Sequence, residues 1–212
     1  MGTSEKSAAQ GRTTLAILAG GRSGRMGRDK SLLPFLGKPL VLRVVERLRS
    51  LTEDVILTTD RPADYAFLGV RCVPDLEPGR GALGGLYTSL KAAGTPLVAV
   101  TACDMPFASL RLFETERDLL LQTGADVVIP ETEHGLEPLH AVYRRETCLP
   151  SVEAALNAGE WKLIAWLPRV AVYKLPGDVI SEFDPLGLAF WNLNTPQDFH
   201  QAEERARKLD TF

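Results

Sequence analysis

The stretch from Leu18 to Lys30 gathers four glycines (Gly20, Gly21, Gly24, Gly27), four cations (Arg22, Arg25, Arg28, Lys30) and a single acid, Asp29. Glycine lets the backbone approach a ligand closely and adopt positive φ, so successive N–H groups can converge on an anion. The cations suit a polyphosphate, and Lys30 could act as a point charge on it. Two familiar phosphate motifs are excluded by spacing. A dinucleotide fingerprint needs G-x-G-x-x-G, and a P-loop needs glycine directly before Lys30-Ser31, where Asp29 stands. A solvated surface loop has the same composition, so both readings stay open on this stretch alone.

A second signal is Val98-Ala-Val-Thr-Ala-Cys-Asp104-Met-Pro. An acid just beyond a buried strand stands at the ligand edge of a sheet, where a carboxylate can hold Mg²⁺ whose other ligands are water and phosphate. The same aspartate could instead cap the turn. Asp75 also follows a short strand, and Gly79, Gly81, Gly84 and Gly85 lead from it into a helix whose start favours an anion. Near the end, Thr195, Pro196 and Asp198 form a sound helix start. Ahead of it, Asn192 and Asn194 occupy alternate positions, whose amides point the same way on an extended segment.

These residues need a scaffold, and the apolar pattern describes one. Strands are expected at 15–18, 55–57, 70–73, 96–101, 125–129, 139–143 and 170–175, and helices at 40–51, 83–93 and 110–122. The region from 131 to 189 is less regular. Alternating strands and helices imply an α/β fold, a Rossmann-like three-layer sandwich with a mainly parallel sheet and helices on both faces. In such sheets ligands bind beyond the carboxyl ends of the strands, so the loops after Leu18, Leu57, Val73 and Thr101 are the candidates. No repeat or linker is visible. The expected organisation is a flexible tail over 1–13 and one domain over 14–212.

Composition narrows the classes of partner. Hydrophobic residues make up 45% and charged residues 24% of 212, as in ordinary globular chains. The net charge of −3 gives no general attraction for nucleic acid or anionic membranes. No apolar run reaches the roughly 20 residues a spanning helix needs. Cys72, Cys103 and Cys148 form no CxxC pair, which favours a reducing cytoplasm over a disulfide framework. His140 lies in an apolar run and reads as a core residue, and no Ser-His-Asp pattern stands out.

Six stretches (LAGGRSGRMGRDKSLL, GKPL, PDLEPGRGALGGL, ACDMP, EPLHAVYRR and NLNTPQD) together resemble the nucleotidyltransferases that act on molybdopterin, specifically the molybdenum cofactor guanylyltransferases. The resemblance covers most of 15–200. It implies a Rossmann-like nucleotide-diphospho-sugar-transferase type of fold and transfer of GMP from GTP to the terminal phosphate of molybdopterin, or Mo-molybdopterin. Carried over by position, Leu18, Ala19, Gly20, Gly21, Thr58 and Asp75 hold nucleotide, Arg25 and Lys30 serve the phosphates, and Asp104 holds Mg²⁺. Asn192 and Asn194 fall on the pterin side. Other cofactor-biosynthesis proteins are implied as partners. A CTP-dependent relative typically reads LAAG in the first loop and DxDTPED at the end, so Gly20-Gly21 and Asn192-x-Asn194 favour guanine. A nucleotide-binding regulator without chemistry is the other alternative. The chain departs from the family pattern at Thr58, where a base-contacting asparagine is common. It departs again at Ala82, which replaces a common proline, and at Glu160-Trp161-Lys162, which lacks an arginine often seen after Gly159.

Overall fold

The structure, a computed structural model, describes residues 11–19, 29–52 and 54–209. Most of the expected tail therefore lies outside the described residues. The chain joins the sheet at once: Leu97 N–H donates to the Arg12 carbonyl, and β1 (Thr13–Leu18) begins at the next residue.

Every residue of β1 is buried. Such a strand can only lie inside a sheet covered on both faces. β1 pairs in parallel with β4 (Asp54–Thr58) and β6 (Leu97–Ala102), and β4 pairs in parallel with β5 (Arg71–Val73). On the other side, β9 (His140–Arg144) runs antiparallel between β6 and β7 (Val127–Thr132), and β10 (Val172–Leu175) adds in parallel to β7. The short β8 (Gly135–Leu136) folds back on β7, which completes an eight-stranded sheet. It is mixed but mostly parallel. A separate hairpin joins β2 (Pro34–Phe35) to β3 (Lys38–Pro39).

Two cores form because side chains alternate across a strand. Leu15 and Ile17 join the core under α1 (Leu40–Leu48) and α3 (Leu110–Thr123). Ala16 and Leu18 join the opposite core under α2 (Gly81–Ala92) and α4 (Arg145–Asn157). In α1, the buried Leu40, Val41, Val44, Val45 and Leu48 make one stripe at helical spacing. Ser109 caps α3 by accepting from Leu112 N–H, and Gly124 closes it at φ 72°. A third cluster (Phe35, Leu40, Phe107, Leu193, Ala202, Ala206) seats α6 (Pro196–Arg207) against the hairpin. The hairpin turn carries positive φ at Leu36 (47°) and Gly37 (77°). Leucine resists that conformation. Glu203 fixes it by accepting from Leu36 N–H at 2.7 Å, and Arg43 donates to the Leu36 carbonyl at 2.6 Å.

Two helices of the irregular region escape the apolar pattern. One is the short α5 (Gly177–Phe183) and the other is α4, which contains Pro150. Proline deprives the carbonyl four residues earlier, that of Glu146, of a helical partner. Both residues are exposed, so water can serve it. No helix among the described residues is long and apolar enough to cross a membrane.

Candidate functional site

The parallel strands β1, β4, β5 and β6 end at one edge, and the expected residues follow them. Ala19 N–H donates to the Thr58 carbonyl at 3.0 Å, and Cys103 N–H to the Leu18 carbonyl at 3.1 Å. Leu18, Ala19 and Thr58 are thereby held shoulder to shoulder with the turn that carries Asp104. The start of α2 is pressed against the same place. A Cβ on Gly85 would stand 3.2 Å from the Leu18 side chain, and one on Gly84 would stand 2.8 Å from the Glu77 carbonyl. Gly85 is therefore required for α2 to pack on β1, and Gly84 for the loop at Glu77 to pack on α2.

Lys30 stands across from Asp104. Its ammonium donates to Asn194 Oδ1 at 3.2 Å, and the neighbouring Leu193 N–H donates to the Asp104 carbonyl at 2.9 Å. Burial pushes the Asp104 carboxyl above the usual aspartate range, while its own backbone N–H and the Lys30 charge pull it back. The same charge reaches Asp198. There burial raises the carboxyl, but the N–H groups of Asn194 and Thr195, the Thr195 hydroxyl and Lys30 together hold it low. Lysine, asparagine and aspartate thus share one electrostatic neighbourhood. Asn192 takes a different course, donating from Nδ2 to the Phe190 carbonyl at 3.2 Å.

Asp75 lies further along the edge, because β1 and β4 separate its strand from that of Asp104. Its Oδ1 accepts from Thr88 Oγ1 at 2.9 Å and from Glu77 N–H at 3.1 Å, which fixes the turn before α2. Gly20, Gly21 and Arg25 lie outside the described residues.

Asp29 is a site residue that sequence reasoning noticed only as the acid among cations. It caps the short 3₁₀ turn Lys30–Leu32. One oxygen accepts from Ser31 N–H at 3.1 Å and Ser31 Oγ at 2.7 Å, and the other accepts from Tyr65 Oη at 2.7 Å and pairs with Arg61. The clamp fixes the backbone one residue before Lys30. Aspartate two residues before serine is a readable turn signal. Its partners Arg61 and Tyr65, more than thirty residues away, are not readable.

Two groups that could suggest other chemistry are silenced by burial. The Cys103 thiol is pushed well above its usual range by burial, with the Asp104 and Asp29 charges adding to it, so it remains a protonated thiol. His140 is fully buried and stacks on Phe113 with ring centroids 3.8 Å apart. Its Nε2 accepts from Ser109 N–H at 3.1 Å, so the ring proton sits on Nδ1 and is donated to Glu116 Oε1 at 2.9 Å. Both roles are structural, as expected for His140.

The His140–Glu116 pair predicts a pH effect. Burial lowers His140 from 6.5 to about 3 and raises Glu116 well above 4.5, and Glu116 Oε2 has no hydrogen-bond partner among the described residues. The unfolded chain protonates His140 below pH 6.5 while the folded chain resists, so that share of stability falls as pH drops towards 3. For Glu116 the sign is opposite: the unfolded chain ionises above 4.5 while the folded chain keeps its proton, so stability falls as pH rises. Glu116→Gln removes only the second slope. In urea titrations its stability relative to wild type should grow between about pH 5 and pH 8. A difference independent of pH would show that Glu116 titrates alike in both states.

Nucleotide-handling α/β proteins are the class this edge defines: a mostly parallel sheet, strands ending together, and a lysine and a carboxylate facing one another beyond them. Among the described residues no group of three or more His, Cys, Asp or Glu could hold a metal. Comparison with known proteins narrows the class. Residues 15–171 match the family described as the MobA-like NTP transferase domain, and the chain belongs to that family. A probable molybdenum cofactor guanylyltransferase of Pelotomaculum thermopropionicum is 36% identical over 199 residues, covering 93% of this chain and 95% of that protein. A molybdenum cofactor guanylyltransferase of Desulfosudis oleivorans is 32% identical over 188 residues, covering 88% and 92%. Among solved structures, the molybdopterin-guanine dinucleotide biosynthesis protein A of Archaeoglobus fulgidus superposes with a TM-score of 0.81 at 28% identity, covering 92% and 100%. A 4-diphosphocytidyl-2C-methyl-D-erythritol synthase of Anaerococcus prevotii, with a TM-score of 0.68 at 16% identity, shares the fold alone.

Proposed function

We propose that this nucleotidyltransferase moves GMP from GTP to the terminal phosphate of molybdopterin, forming the guanine dinucleotide and releasing pyrophosphate. The observation that carries the reading is the meeting of Lys30, Asn194 and Asp104 at the carboxyl edge of the sheet. The names of relatives spanning nearly the whole chain support guanine and molybdopterin as substrates. We take residues 14–212 as one domain, supported by one eight-stranded sheet with strands drawn from 13–175 and by the packing of α6 on the hairpin. A reducing cytoplasm is supported by three free thiols.

The donor set fits Mg²⁺. A half-buried carboxylate whose ionised form is penalised by burial is improved by a cation beside it. Magnesium also commonly rests on one or two carboxylates, with water and phosphates completing its shell. Bound at Asp104, Mg²⁺ would supply positive charge to the triphosphate as pyrophosphate departs.

The chain's own residues then have limited but definite work. A phosphate monoester is already anionic near neutral pH, so the attacking oxygen needs no strong base. Lys30 places a fixed positive charge where two polyanions must approach, and Asn194 holds that charge in position. Leu18, Ala19 and Thr58 wall the nucleotide half, and the Asp75 turn secures the start of α2 beside them. The barrier falls by alignment and relief of repulsion rather than by covalent catalysis. The protonated state of Cys103 and the buried place of His140 agree with that.

The test is pyrophosphate release from GTP and from CTP, each with Mg²⁺ and molybdopterin. GTP is expected to support release and CTP to support little. Preference for CTP would make the chain a cytidylyltransferase. GTP binding without release would make it a regulator.

A further inference from the structure

The glycine-rich stretch runs from Ala19 to Asp29 in the sequence, and the structure ties both of those residues to one segment, the turn that follows β4. At one end the Thr58 carbonyl accepts from Ala19 N–H at 3.0 Å. At the other end the fully buried Tyr65 donates from Oη to Asp29 Oδ2 at 2.7 Å, and the Arg61 guanidinium pairs with the same oxygen. The turn between is itself pinned. Arg61 N–H donates to Thr59 Oγ1 at 3.2 Å, Thr59 N–H donates to the Val73 carbonyl at 2.9 Å, and Asp60 Oδ1 accepts from Asp75 N–H at 3.3 Å. Arg61 is thus presented to Asp29 from a base fixed on the end of β5.

Asp29 poses an electrostatic problem. Its side chain is 12% exposed, it directly precedes Lys30, and its charge acts together with those of Asp104 and Lys30 on the Cys103 thiol. Two carboxylates therefore stand near one ammonium, at an edge that has to receive a triphosphate. Uncompensated, Asp29 would offset Lys30 for any polyanion, because like charges repel strongly where solvent screens them poorly. Tyr65 does not cancel that charge. Burial above all, with the Asp29 charge adding to it, pushes its phenol well above the usual range, so it stays a neutral donor. The cation that pairs with Asp29 is Arg61, which also reaches Asp64 on its own turn at 3.6 Å.

We propose that Arg61 is a positioning residue of the nucleotide site: paired with Asp29, it cancels the carboxylate beside Lys30 and fixes the turn that aims the ammonium, so that Lys30 meets the GTP phosphates at full charge. This rests on the GTP reading above and assigns no contact between Arg61 and the nucleotide.

The test is calorimetry of GTP binding with Mg²⁺. At about 0.1 M salt Arg61→Ala is expected to weaken binding roughly 3- to 10-fold, between the scale of an exposed and of a buried charge contact. Arg61→Lys should recover most of the loss, since an ammonium also neutralises a carboxylate. Asp29→Asn supplies the decisive background, because an amide still caps the turn but carries no charge. There, adding Arg61→Ala should cost less than about 1.5-fold further, as expected of residues that act through one contact. In an Asp64→Asn background the full loss should persist. At about 1 M salt, where charges are screened beyond about 3 Å, the gap between Arg61→Ala and wild type should shrink below about 2-fold. Unchanged affinity in Arg61→Ala overturns the proposal. An equal loss with and without the Asp29 charge also overturns it and would put the guanidinium on the nucleotide, and a loss indifferent to salt overturns it by making the arginine a packing residue. Pyrophosphate release is read separately: GTP binding without release overturns the proposed reaction and leaves the role of Arg61 decided by these titrations. Preference for CTP overturns the GTP reading, and the same variants titrated with CTP then decide the arginine. Binding of neither nucleotide overturns both.

Discussion

Asp104→Ala is expected to slow GMP transfer on the order of 10²–10³-fold at saturating Mg²⁺, the usual consequence of removing one preorganised charge contact. The loss should come without a loss of stability. Burial raises the Asp104 carboxyl in the folded chain, so the ionised form is held less well there than in the unfolded chain. Deleting that charge removes a liability of the empty fold, and Asp104→Asn does so at almost the same volume. Both variants should melt no lower than wild type without nucleotide. Wild type should melt higher with GTP and Mg²⁺ together, since a ligand of the folded state stabilises it, and the variants should show little of that rise. Near-normal rates at saturating Mg²⁺ would remove the metal from Asp104. Unfolding of both variants would make the carboxylate structural.

The placement of Asp104 was legible because β6 announces itself. Pro96 to Thr101 is a continuous apolar run, such a run must be a buried strand, and a buried parallel strand delivers its following residue to the ligand edge. The same logic located β1, β4 and β5 and the residues after them. Between 131 and 189 it found the strands expected at 139–143 and 170–175 but not the helices α4 and α5. The buried residues of α4 are Cys148, Val152, Ala155 and Leu156, but Thr147, Pro150 and Ser151 stand among them and interrupt the pattern. Packing against α2 decides the helix there, and local preference does not.

The polar contacts were less legible than the strands. Aspartate at 75 reads as a ligand because it follows a strand, and in the fold its Oδ1 secures Thr88 and Glu77 N–H. Asp29 reads as an incidental acid, and the fold makes it the clamp that precedes Lys30. Sequence spacing reports which edge a residue reaches. It does not report which long-range partner takes its oxygens.

Asn194 shows the same limit, and it leads to the second large effect. Family resemblance puts Asn194 on the pterin side and is silent on its neighbours; in the fold its Oδ1 accepts from the Lys30 ammonium and its backbone N–H is braced on Asp198 at 2.8 Å. Lys30→Ala is expected to weaken GTP binding roughly 10- to 100-fold by calorimetry, the size of a lost hydrogen bond to a charged group. Asn194→Ala should weaken it less, because the ammonium remains but is no longer aimed. Residues that act through one contact do not add. In the double variant, therefore, removing Asn194 after Lys30 should cost GTP almost nothing further. Strict additivity would mean that Asn194 serves GTP without Lys30. Unchanged GTP affinity in Lys30→Ala would take the lysine out of the nucleotide site, and with it the electropositive side of the edge.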